Sequence, residues 1–73
     1  MKPLSLLVRN IDSKVSILLK NGLEYRGSMI RCDGLMNILL GDAEEYIRNR
    51  HVANYGRILV RGSGVTYIVL RDK

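Results

Sequence analysis

The chain has no tryptophan, no phenylalanine, one cysteine, one histidine and one proline among its 73 residues. Each scarcity excludes something. With four tyrosines as its only aromatic residues, the core cannot be built around large aromatic anchors. Cys32 has no partner for an internal disulfide, and with His51 as the sole histidine it cannot build a zinc site. The apolar stretch Leu4-Ser5-Leu6-Leu7-Val8 is too short for a signal-peptide core or a membrane span. The expected setting is cytoplasmic, without a membrane partner. Acidic side chains are scarce as well: seven against 12 Lys and Arg, a formal net charge of +5. None lies between Glu45 and Asp72, whereas Arg48, Arg50, Arg57, Arg61 and Arg71 do. That balance favours an anionic partner, nucleic acid first.

Hydrophobic residues still make up 47% of the chain, which excludes disorder by composition. The length fits one domain, 1–73, and a core this small usually needs a disulfide, a metal or partner subunits. With the first two excluded, assembly remains.

Leu4, Leu7, Val8 and Ile11 recur at helical spacing, and Pro3 suits the first helical position, so residues 3–10 are expected to form a short amphipathic helix. From Lys14 the period becomes two: Val15, Ile17 and Leu19 face one way and Lys14, Ser16 and Lys20 the other. Asn21-Gly22 predicts a type I′ hairpin turn into a second strand that runs to about Cys32. Gly27 in its middle implies a sharp bend or a close approach. Asp33-Gly34-Leu35-Met36 reads as a turn, and Asn37-Ile38-Leu39-Leu40 as a third strand, interrupted by Gly41 and resuming through Tyr46, with Leu39 in the core. Arg48–Asn54 has no clean period and reads as a polar loop holding a solvated His51. Arg57–Arg61 and Val65–Leu70 supply the last two strands around the tight Gly62-Ser63-Gly64 turn. The expected fold is mainly β: a short N-terminal helix and a strongly bent, five-stranded antiparallel barrel of SH3-like or OB-like kind.

Two segments carry the functional signal. One runs Leu18-Leu19-Lys20-Asn21-Gly22, Gly27, Asp33-Gly34-Leu35-Met36-Asn37 and Asp42-Ala43-Glu44-Glu45; the other is Tyr55-Gly56-Arg57-Ile58-Leu59-Val60-Arg61-Gly62. Together they resemble the Sm1 and Sm2 motifs of the Sm/Lsm family, with Sm1 at about 14–45, a variable loop at about 47–55 and Sm2 at about 56–70. Lys2-Pro3-Leu4 is similar to the opening of the family's N-terminal helix, and the short form resembles the archaeal Sm-like proteins. The resemblance implies the Sm fold and a homo-oligomeric ring, heptameric or else hexameric or octameric, closed by pairing the fourth strand of one subunit with the fifth of the next. Paralogous subunits could join it. It implies uridine-rich single-stranded RNA as partner in RNA processing or turnover, with no cofactor and no catalysis.

The chemistry of the matching residues fits that partner. The Asn37 amide offers a donor and an acceptor to a uracil edge, and Asp33 could fix its orientation. Arg61 could lie flat over a base, and Gly62 and Gly64 allow close approach by the ring of neighbouring turns; the resemblance also implies that the Ser63 backbone N–H meets the base. Leu35 stands where many family members carry a base-stacking His, Tyr or Phe, and the usual Arg-Gly-Asp/Asn ending is Arg61-Gly62-Ser63-Gly64, which predicts weakened uridine binding. Asp33 and Asn37 could instead simply cap a turn, Arg48, Arg50 and Arg57 form a solvated face, and Met36 and Cys32 are core or half-buried residues. Glu44-Glu45 lacks an accompanying nucleophile, metal-ligand set or phosphate loop. Two alternatives stay open: a structural ring or scaffold with a weakened RNA pocket, and an OB-like binder of single-stranded DNA. The bacterial Hfq branch fits less well, because Arg61-Gly62 stands where that branch has a Tyr-Lys-His stretch.

Overall fold

The computed structural model describes residues 3–71; Lys2, expected at the opening of the helix, lies outside them. The elements in chain order are α1 (Pro3–Arg9), β1 (Lys14–Leu19), β2 (Leu23–Cys32), β3 (Ile38–Ile47), β4 (Arg50–Val60), a single 3-10 turn at Gly62–Gly64, and β5 (Val65–Leu70). The strands form one antiparallel sheet in the order β4-β3-β2-β1-β5, which leaves β4 and β5 as edges.

Helix α1 is short, and Asn10 closes it by donating its side-chain N–H to the Leu6 carbonyl at 2.8 Å. Its buried stripe is narrower than the spacing predicts: Leu7 enters the core and Ile11 packs against it, while Leu4 and Val8 stay exposed. The exit is tied to β2 by the Asp12 N–H on the Met29 carbonyl (2.7 Å) and the Met29 N–H on the Ser13 carbonyl (2.9 Å). Val15, Ile17, Met29, Ile38, Leu40, Ala43 and Val60 join Leu7 as the core. Burying each of the larger ones is worth about 1.5–3 kcal/mol, so a handful carries the fold.

Bulges bend the sheet. Between the pairs Arg26↔Glu44 and Ser28↔Gly41, Gly27 faces two residues, Asp42 and Ala43, and Asp42 adopts φ 48°. A Cβ on Gly27 would lie 2.7 Å from the Gly41 carbonyl oxygen, so the bend requires glycine there. Further register shifts occur at Ile30 in β2 and at Val52 in β4.

Three expectations need correction. The type I′ turn does not form at Asn21-Gly22: only Gly22 has positive φ (+90°), and the Gly22 N–H bonds the Leu19 carbonyl at 3.0 Å. This is a three-residue type I turn with a glycine bulge, and the Asn21 side chain accepts the Leu23 N–H instead of visiting positive φ. Arg48 and Asn49, at φ 50° and 65°, make the two-residue I′-like turn, and β4 starts at Arg50, so the stretch read as a loop is strand. Its polar sequence hid it, because an exposed edge strand need not alternate. Leu39 is half-buried on the face opposite Ile38 and Leu40, outside the core. A further finding contradicts no expectation: Ser16 is buried, because Arg71 donates its Nε–H to the Ser16 hydroxyl at 2.6 Å and covers that side of β1.

Candidate nucleic-acid interface

The β2–β3 turn is organised around one carboxylate. Asp33 Oδ1 accepts the backbone N–H groups of Leu35 (2.9 Å) and Asn37 (3.0 Å), and Oδ2 accepts the Asn37 side-chain N–H at 3.0 Å. The Asp33 N–H bonds the Asn37 carbonyl (3.1 Å), and the Met36 N–H bonds the Asp33 carbonyl (3.0 Å). Met36 closes the loop at φ 64° and turns its side chain towards the core. These bonds favour the charged form of Asp33. Its pKa lies below the usual aspartate value, chiefly through the Asn37 side chain, then the Asn37 backbone, with the Leu35 N–H adding to them against a small burial penalty.

The second turn is clasped onto the first. The Gly62 N–H donates to Asn37 Oδ1 at 2.8 Å across 25 residues of chain. A Cβ at Gly62 would overlap the Leu35 carbonyl oxygen, so only glycine allows the two backbones to touch. The Asn37 amide therefore has one orientation, because flipping it would set N–H against N–H and oxygen against carboxylate. One of its two N–H groups and one of its two oxygen lone pairs remain uncommitted within this network.

The structure thus brings Asp33, Leu35, Asn37 and Gly62 together, with Arg61 and Ser63 on either side of Gly62. Leu35 is 78% exposed, more than any other large hydrophobic side chain among the described residues. Arg61 is exposed and sits in extended conformation (φ −78°, ψ 130°) just before the 3-10 turn; its carbonyl accepts the Gly64 N–H at 3.0 Å, and its guanidinium has no hydrogen-bond partner among the described residues. Ser63 is exposed too. Sequence reasoning placed the close approach at Gly62 with neighbouring turns of a ring; the structure places it within one chain. Cys32, next to this turn, is half-buried, and burial with the Asp33 charge beside it pushes its thiol pKa up. His51, exposed as expected, lies on β4, 2.6 Å from Asn54 Oδ1.

The chain as a whole is similar to known proteins. The LSM domain model matches residues 5–70. The chain belongs to the LSM family. An snRNP Sm-like protein of Pyrococcus horikoshii is 39% identical over 67 residues, 92% of this chain and 89% of that one. The U6 snRNA-associated Sm-like protein LSm6 of Debaryomyces hansenii is 41% identical over 58 residues, covering 80% of this chain and 68% of its own. The Pyrococcus abyssi Sm protein solved with a uridine heptamer superposes with a TM-score of 0.93 at 37% identity, over 97% of this chain and 100% of that one. An archaeal Sm protein solved as a heptamer gives 0.85 at 32% identity, over 93% and 98%. The fold is the Sm fold, and membership of this RNA-binding, non-enzymatic family agrees with the expectation that Glu44-Glu45 does no chemistry. Those two carboxylates face opposite sides, Glu44 towards the Tyr46 hydroxyl and Glu45 towards the Tyr25 and Tyr55 hydroxyls. No helix among the described residues is long and apolar enough to cross a membrane.

Proposed function

We propose that this LSM chain assembles into a homo-oligomeric ring, heptameric like its archaeal relatives, and binds uridine-rich single-stranded RNA with one pocket per protomer. The observation that carries the pocket is the Asp33–Asn37–Gly62 clasp. It holds the Asn37 amide rigid with one N–H and one lone pair to spare, which matches the O4 and N3–H pattern of a uracil edge. Leu35 gives the base an apolar surface and Arg61 a planar cation, with Ser63 beside them. Asp33 acts through Asn37 as a positioning residue. The 37%-identical Pyrococcus abyssi protein solved with a uridine heptamer supports this assignment.

The edges support the ring. Leu59 on β4 is 65% exposed and Tyr67 on β5 is 54% exposed, on strands with no second neighbour. Unpaired apolar edges are a liability in solution. Pairing β4 of one copy with β5 of the next covers both, and repetition around a closed ring removes every free edge. Adjacent protomers would also wall the site, which in one chain is a surface of two turns; the bordering hollows open towards β5 on one side and β4 on the other. A cytoplasmic role in RNA processing or turnover, with paralogous subunits able to enter the ring, completes the reading.

Native mass measurement of the particle, joined with oligouridine anisotropy at two salt concentrations, tests it. A particle of seven copies that binds oligouridine saturably, more weakly in high salt, and loses binding in Asn37→Ala supports the reading. Leu35 in place of a stacking side chain favours a second reading, a scaffold ring with a weakened pocket. A ring that does not bind oligouridine even at low salt would select it. Oligothymidine bound as tightly as oligouridine would point instead to a general single-strand binder.

A further inference from the structure

At the end of β3 and β4 farthest from the clasped turns, the Arg48-Asn49 turn carries a second cluster of unused cations. Arg48, Arg50 and His51 line one hollow with Ile47 and Val52, which are 41% and 50% exposed. Neither arginine has a carboxylate partner among the described residues. Glu44 faces His51 at 3.9 Å, and Glu24 is taken by Arg26 at 2.7 Å. The turn is held firmly beneath them. Arg26 donates to Asn49 Oδ1 at 2.7 Å while its guanidinium lies 3.7 Å from the centre of the Tyr46 ring. Arg48 and Asn49 both occupy the left-handed region of a tight two-residue turn. The cations are therefore presented from a fixed base, with exposed aliphatic side chains between them. Arg57 stands on β4 between this tip and Arg61 of the pocket, and no acidic residue occurs anywhere from Arg48 to Arg71.

We propose that the β3–β4 hairpin tip is a second RNA contact: Arg48 and Arg50 take phosphates of the strand that continues beyond the uridine pocket, and Ile47 with Val52 forms an apolar floor for a sugar or base. The proposal rests on the uridine-pocket reading for the direction from which the RNA arrives, but the tip's chemistry stands apart from it. Two arginines outside any ion pair among the described residues, over an apolar floor, complement a single-stranded polyanion. A second copy of this chain is disfavoured as occupant, because two basic tips brought face to face would repel. The tip and the pocket are separated by the length of β3, ten residues or at most about 30 Å, and heptauridine with one base in each of seven pockets has no free chain left to reach the tip.

The test compares heptauridine with a longer oligouridine, on wild type and on Arg48→Asn/Arg50→Gln; asparagine is chosen because it tolerates positive φ. An Arg9→Gln/Lys14→Gln variant removes the same charge elsewhere. Particle mass is measured for each. The expected result is that the tip variant binds the long RNA about tenfold more weakly near 0.1 M salt, with a salt slope shallower by about 0.7 for each phosphate contact removed. Heptauridine binding stays at the wild-type level, and the charge-matched control stays within about twofold for both RNAs. Equal loss in the control, or long RNA bound as tightly by the tip variant as by wild type, overturns the proposal. So does a wild-type particle of twice the ring mass that splits in the tip variant, which would assign the hollow to a second ring. Failure of the pocket reading gives a different pattern: no heptauridine binding by wild type, with long RNA still dependent on Arg48 and Arg50.

Discussion

The two ends of the β3–β4 ribbon are held in opposite ways. At the pocket end, the clasp joins turns far apart in sequence through backbone groups: Asp33 accepts two backbone N–H groups, and Asn37 accepts the N–H of Gly62. At the hairpin end, the support is made of side chains: Arg26 bridges Glu24 and Asn49 and stacks on Tyr46. Side chains that bond backbone N–H groups fix the path of the chain itself, and the clasp depends on Asp33, Asn37 and Gly62 in particular. A side-chain cluster holds a turn in place while leaving its outward residues free to vary. The first arrangement suits recognition of one base edge, the second the presentation of charge to a backbone of any sequence.

The largest break in that comparison comes from Gly62→Ala. The added methyl has nowhere to go, because its nearest neighbour is the Leu35 carbonyl, which belongs to the backbone and cannot swing aside. We expect a loss of about 3 kcal/mol in unfolding free energy, read as a lowered urea midpoint, together with loss of oligouridine binding. A variant of wild-type stability would mean that the clasp is looser than described. Asn37→Ala is expected to cost less, about 1–2 kcal/mol, because water can reach part of the vacated site while the Gly62 N–H loses its acceptor.

Acid should loosen the pocket end selectively. The pKa of Asp33 is depressed in the folded protein, so its contribution is present above the unfolded aspartate value and is lost as pH falls through the lower folded value. Oligouridine binding should therefore persist through the ordinary aspartate range and fail only below it, with the Asp33→Asn variant losing that step. A binding curve that declines at the same pH in both proteins would remove Asp33 from the explanation. Arg26→Ala, the matching change at the other end, should cost no more than about 1 kcal/mol in stability, since its ion pair is partly solvated. Heptauridine affinity should not change; a drop would show that the ends are coupled.

The sequence was easiest to read where local physics decides. Pro3, the alternation of Val15 and Ile17, and the spacing from Asp33 to Asn37 each speak for themselves within a few residues. The bond between Asp33 and Asn37 was legible because a carboxylate and an amide four apart across a turn leave few other arrangements, and the family resemblance pointed to the second turn. The first half of β4 was not legible. Arg50–Gly56 pairs with β3 along one edge and is exposed along most of its length, so no hydrophobic period marks it, and the turn before it uses Arg48 and Asn49 where glycine would have signalled. The burial of Ser16 was equally hidden, because it depends on Arg71, 55 residues away. The Gly62 contact was anticipated in kind but assigned to the wrong partner, since nothing in one sequence tells a contact within a chain from one between copies.

The smallest effect concerns a third cluster, which lies between the two ends. Glu45 Oε1 accepts the hydroxyls of Tyr25 (3.2 Å) and Tyr55 (2.9 Å), linking β2, β3 and β4. Both phenols have raised pKa values, Tyr25 first through burial and then through the Glu45 charge, Tyr55 first through its hydrogen bond to Glu45. Raised values mean that their contribution is complete below the unfolded tyrosine value of about 10 and fades as pH climbs through the folded values. An ultraviolet titration should show two of the four tyrosines ionising above the ordinary range, and Glu45→Gln should bring both down, Tyr55 further, because burial continues to hold Tyr25 up. Four tyrosines titrating together at the ordinary value would contradict this geometry. If the two midpoints fall in Glu45→Gln while heptauridine binding is unchanged, the middle of the ribbon is a spacer, and pocket and tip are independent sites on one rigid support.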